Sequence, residues 1–88
     1  MSCKNLIGPK LRELRILKGF TQEVFAAKCN LKGWDISRAT LSKIEAQIRR
    51  VNDAEIVVLA SALKCPVQDL FGTIRLVQAQ ELVRSDFD

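Results

Sequence analysis

Ser37, Arg38, Ala39, Thr40, Ser42 and Lys43 form a run of basic, hydroxyl and small side chains interrupted only by Leu41. On a helix, Ile36, Leu41 and Ile44 share one face and the polar set is left to point elsewhere. Arg and Lys donate to the paired acceptors of guanine or to phosphate. Ser and Thr bond either, and Ala can meet a thymine methyl. A short helix carrying this set can enter a DNA major groove. Nothing else in the chain suggests a chemistry. There is no His and no Tyr, no Gly-rich phosphate loop and no cysteine next to a plausible base, so catalysis is not expected. No cofactor is expected either.

A reading helix needs a body to hold it. Eighty-eight residues are enough for one small domain with an adequate core. The hydrophobic fraction of 48% and charged fraction of 27% are those of a globular chain and argue against disorder. The net charge of +4 is unevenly spread. Residues 1–50 carry eleven basic and four acidic side chains, a balance of +7, and residues 51–88 carry three and six, a balance of −3. A basic front half suits a polyanion, with a different surface behind it. Cys3, Cys29 and Cys65 are odd in number, have no metal-ligand spacing and have no His to assist, so no metal site is expected. Cys29 and Cys65 sit at apolar helix positions and read as buried, reduced thiols, which places the chain in the cytoplasm. No signal peptide or membrane span is expected.

The elements that would present the polar run are legible in part. Pro9 opens a first helix that runs to Lys18, carries Leu11 and Leu14 inward, and is stopped by Gly19. Thr21 caps a second helix, Thr21 to Cys29, in which Phe25 and Cys29 face one way beside small Ala26. A polar loop, Asn30 to Asp35, leads to a third helix, roughly Ser37 to Gln47. Asn52, with Glu55 three residues on, forms a capping box. It opens a fourth helix whose inward stripe is Ile56, Leu59, Ala60 and Leu63. A fifth, short helix runs from Pro66 to Phe71 and ends at Gly72. Loops this short favour a compact helical bundle. Residues 1–72 are thus expected to form the domain and residues 73–88 a tail. In the tail, Ile74, Leu76 and Val77 fit a short strand and Gln78 to Arg84 fit a helix. The tail is either a dimer contact or a frayed, flexible end.

Taken in order, Leu11-Arg-Glu-Leu-Arg15, Gly19-Phe-Thr-Gln-Glu23, Phe25-Ala26, Ser37 to Glu45, Leu59-Ala-Ser-Ala-Leu63 and Val67-Gln-Asp-Leu-Phe71 resemble the phage-repressor/Cro-type, lambda-repressor-like helix-turn-helix family. These stretches cover about two thirds of the chain. The resemblance implies an all-α, five-helix DNA-binding domain whose third helix reads double-stranded DNA. It places Arg38, Ala39 and Lys43 at base edges. It puts Gln22 on a phosphate, and Ser37, Thr40 and Ser42 on phosphate or base edges. Arg49 and Arg50 add contacts to the DNA backbone. It pairs Arg15 with Glu45 as an ion pair that fixes the tilt of the third helix. It implies a sequence-specific transcriptional regulator, in particular a repressor acting as a homodimer. The alternative on the same fold is an antitoxin or other module that holds a protein partner.

The chain departs from the family pattern in one place. Six residues, Asn30 to Asp35, replace the single Gly usual between helices two and three. This extended turn is expected to lengthen helix two or re-aim helix three, with Gly33 supplying a bend. Trp34 then either covers the joint as a hydrophobic lid or, with Lys32, reaches the DNA backbone.

Overall fold

Three of the helices start at a side-chain cap that the sequence supplies, and the first starts at a proline. Pro9 lies in the first turn of α1, Gly8–Leu17, where its fixed φ suits the helix and no donor is missed. The Thr21 hydroxyl accepts from Val24 N at 3.1 Å and opens α2, Gln22–Leu31. Ser37 Oγ accepts from Thr40 N at 3.1 Å and opens α3, Arg38–Glu45. Asn52 and Glu55 form a reciprocal capping box before α4, Asp53–Leu63. A single 3-10 turn, Val67–Leu70, follows, and then α5, Leu76–Ser85. This computed structural model describes residues 3–85, and no strand occurs among them.

The core lies where α1, α2, α3 and α4 converge. Leu11, Phe25, Cys29, Leu41, Ile44, Leu59, Leu63 and Leu70 are wholly buried, and Ala26 lies among them. α2 packs on α3 and α4, α1 packs on α3, and the 3-10 turn closes the far side against α1 and α4. Ala26, buried in this core, adds little bulk between the packed helices.

Four elements differ from the sequence reading in kind or by more than one residue at an end, each for a local reason. α2 continues through Asn30 and Leu31, because the bend falls later: Gly33 sits at φ +95°. Lys32 N and Gly33 N tighten the last turn onto Cys29 O and Asn30 O, at 3.0 Å each. α3 stops at Glu45, and Gln47 takes a left-handed conformation at φ +63°. The segment Pro66 to Phe71 makes only the 3-10 turn, since Pro66 sets its start and Gly72, at φ +57°, ends it. Finally, the expected strand at Ile74 to Val77 is absent. Gln78 Oε1 instead accepts from Arg75 N at 2.9 Å, half of a capping box, and the segment becomes the start of α5.

α5 is not one of the closely packed helices. Gln78, Glu81 and Leu82 face Cys3, Leu6 and Gln47 across a cleft of about 230 Å³. Leu76, Val77 and Val83 stay exposed on its other sides.

Candidate nucleic-acid interface

α3 is fixed from within before it presents anything outward. Leu41 and Ile44 anchor it in the core, and Glu45 is 7% exposed. A carboxylate so deep needs donors, because desolvating an unpaired charge is costly. Three supply them. Arg15 Nε lies 2.6 Å from Glu45 Oε2, Arg15 Nη2 lies 3.0 Å from Oε1, and Gln22 Nε2 lies 3.0 Å from the same oxygen. The remaining arm of Arg15 donates to Phe20 O at 2.7 Å. The end of α3 is thereby tied to α1, to the start of α2 and to the turn between them.

A second tether comes from residues the sequence reading passed over. Asn5 is 4% exposed. Its Nδ2 donates to Ile44 O at 3.0 Å and Arg49 O at 2.8 Å, while its Oδ1 accepts from Gly8 N at 2.8 Å. Gln47 Nε2 returns a bond to Asn5 O, and Lys4 N donates to Gln47 O. Gly8 allows this approach. A Cβ there would lie 2.5 Å from Ile44 O and 2.9 Å from Glu45 O. The one sequence signal was an Asn three residues before a helix start, a position where its side chain can hold the first amides.

The outward face carries the expected reading residues. At 100° per residue, Arg38, Ser42, Ala39 and Lys43 occupy one continuous arc of about 140°, with Leu41 and Ile44 on the opposite side and Glu45 at the arc's edge beside Arg38. Arg38, Ala39 and Lys43 are exposed, and Thr40 and Ser42 are half-buried. Arg38 Nε lies 4.0 Å from Glu23 Oε1, a loose pair between exposed groups and therefore a weak one. Thr21, Gln22, Glu23 and Arg38, with Arg15 beneath, bound an open cleft of about 370 Å³ between the starts of α2 and α3.

The other expected contacts are already engaged within the chain. The Gln22 amide is bonded to Glu45. Ser37 serves as the cap of α3 and also donates to Thr40 Oγ1 at 3.1 Å. Arg49 is held most firmly. Its Nη1 and Nη2 lie 3.1 and 3.0 Å from the two Glu55 carboxylate oxygens, and Nη1 also donates to Arg50 O at 2.8 Å. That pairing raises the Arg49 pKa and, by the same hydrogen bonds, lowers that of Glu55. The Arg49 guanidinium further lies 5.8 Å from the centre of the Trp34 ring. Arg50 is exposed.

Among the described residues no group of His, Cys, Asp or Glu could hold a metal ion, and no helix is long and apolar enough to cross a membrane. Cys29 is buried, which pushes its thiol up to about 11.

A helix-turn-helix family model matches residues 11–70. The restriction-modification controller protein C.AhdI from Aeromonas hydrophila is 34% identical, with a TM-score of 0.66 over 74% of this chain and 87% of that one. A hypothetical transcription factor, NHTF from Neisseria, is 20% identical with a TM-score of 0.68 over 90% and 84%. A single-residue variant of the restriction-modification controller C.Esp1396I is 21% identical with a TM-score of 0.59 over 100% and 98%. The latter two are likenesses of fold. No curated protein matches the sequence. The chain belongs to the phage-repressor/Cro-type helix-turn-helix family. It is a DNA-binding transcriptional regulator.

Proposed function

We propose that the protein is a sequence-specific repressor that reads the major groove of double-stranded DNA with α3. One observation carries the reading: a helix pinned into the core by Leu41, Ile44 and Glu45 turns Arg38, Ala39, Ser42 and Lys43 outward as one arc. Arg38 and Lys43 donate to base acceptors, and Ala39 leaves space against a thymine methyl. The N-terminal amides of α2 and of α3, with Thr40, Ser42 and Arg50, serve the flanking phosphates. The basic surplus of residues 1–50 supports this side of the molecule as the polyanion face. By likeness to the 34% identical C.AhdI, control of restriction-modification genes is the regulated process.

The active form is a homodimer that sets two α3 helices into half-sites about one helical turn, roughly 34 Å, apart. The exposed Leu76 and Val83, one heptad apart on α5, support that face as the contact between copies. Residues 1–72 then act as the reading domain and α5 as the joining segment. The same apolar face favours a second reading, an antitoxin-like module whose α5 holds a different protein. Selection of binding sites from a random DNA pool, with sedimentation of the free chain, tests both. An inverted repeat bound by a dimer supports the repressor reading. No enriched site and a monomeric chain would favour the partner-binding module.

A further inference from the structure

The extended turn before α3 and the loop after it lie at opposite ends of an eight-residue helix, yet the structure joins them. Trp34 belongs to the first and Arg49 to the second. The guanidinium lies 5.8 Å from the ring centre, within the range of a cation–π contact. Both partners are held in place. Trp34 N donates to Cys29 O at 3.1 Å. Its carbonyl accepts from Asn30 Nδ2 at 2.8 Å and from Ile36 N at 2.8 Å, and its ring packs on the core. Arg49 is gripped by both oxygens of Glu55, which is also the capping-box carboxylate of α4.

We propose that Trp34, Arg49 and Glu55 form a strap that positions α3 for base reading, so that Arg49 is a positioning residue and not a phosphate ligand. The proposal rests on the reading of bases by α3. The chain's insertion thereby has a use. A single-residue turn would hold the start of α3 by itself, whereas six residues leave it free to shift unless something braces them. Trp34 is the brace, and Arg49 carries its load to the start of α4. The Arg15–Glu45–Gln22 cluster holds the end of α3, and the strap holds its beginning.

The test is direct titration of the full chain with a selected duplex and with random duplex over a range of salt. Trp34→Ala, Arg49→Lys and Glu55→Gln should each lower the specific-to-random affinity ratio about tenfold, with the wild-type salt slope retained. Trp34→Phe should keep the ratio, since it keeps an aromatic face. Arg49→Lys retains the charge a phosphate needs and loses the planar fork. It therefore separates the two roles, and it does so even if Trp34→Ala does not fold. An unchanged ratio in Arg49→Lys and Glu55→Gln overturns the strap. So does Glu55→Gln binding both duplexes more tightly at an unchanged ratio, because that is the behaviour of a released phosphate ligand. A wild-type chain with no preference for any duplex overturns base reading by α3 itself, and the strap with it.

Discussion

Arg15 and Glu45 form a two-pronged ion pair, 2.6 and 3.0 Å between heavy atoms, that joins α1 to the last turn of α3 inside the protein. Removing one member strands the other as a buried charge. Arg15→Ala and Glu45→Ala should each cost about 3–5 kcal/mol, and replacing both with apolar residues of like volume should cost far less. Urea unfolding of the three variants measures this. Single variants with near-native midpoints would show the pair to be incidental.

Gly8 is where α1 starts against the end of α3. Gly8→Ala places a methyl 2.5 Å from the Ile44 carbonyl, a backbone atom that cannot swing aside. The expected result is a loss of about 1–3 kcal/mol. Gly33→Ala should also destabilise, though for a different reason. Its added Cβ meets open space, and the cost comes from φ +95° alone. Thermal melts of the two variants measure the two losses.

The three thiols should react in order of access. Cys3 is exposed, Cys65 is half-buried with its pKa raised by desolvation, and Cys29 is buried with its thiol at about 11. A thiol reagent attacks the thiolate and must reach the sulfur, so burial slows it on both counts. One fast-reacting thiol, a slower second and a third that appears only on unfolding are expected. Burial disfavours the Cys29 thiolate, so that stability is fully present below the ordinary value of 9.0 and is lost as pH rises through about 11.

Glu55 works in the opposite direction. Its bonds to Arg49, more than any other influence, hold its folded pKa below the ordinary 4.5. It therefore adds stability above that ordinary value, and the contribution is lost as pH falls through the lowered folded value. The stability gap between wild type and Glu55→Gln should be full near neutral pH and should close in acid. Melts from about pH 7 to about pH 3 measure it. A gap that does not depend on pH would mean the Glu55 charge contributes nothing to the fold.

The parts of the fold that depend on local rules were legible in the sequence. Thr21 and the Asn52–Glu55 box mark helix starts by their own chemistry, and the apolar spacing of Leu41 with Ile44 and of Leu59 with Leu63 marks inward faces. Contacts between distant segments were not. Asn5 looks like an ordinary polar residue near the start of the chain, and only the fold brings it to Ile44 and Arg49. Arg49 reads as a cation for the DNA backbone until Glu55 and Trp34 are placed around it. The segment after Pro66 shows a different limit, because too few residues lie before Gly72 to complete an α-helix. In the tail, Ile74, Leu76 and Val77 suggested a strand, while the back-bond from Gln78 to Arg75 favoured a helix.

Base reading by α3 is tested most directly at Arg38, an exposed side chain at the start of that helix with no role in the core. Affinities of wild type and Arg38→Ala should be compared on the selected duplex, on single-base variants of it and on random duplex at one salt concentration. The expected outcome is a loss of about 1–3 kcal/mol on the selected duplex, with discrimination relaxed at one base pair. Equal losses on selected and random DNA, with every base preference intact, would contradict it and reduce Arg38 to a contributor of charge.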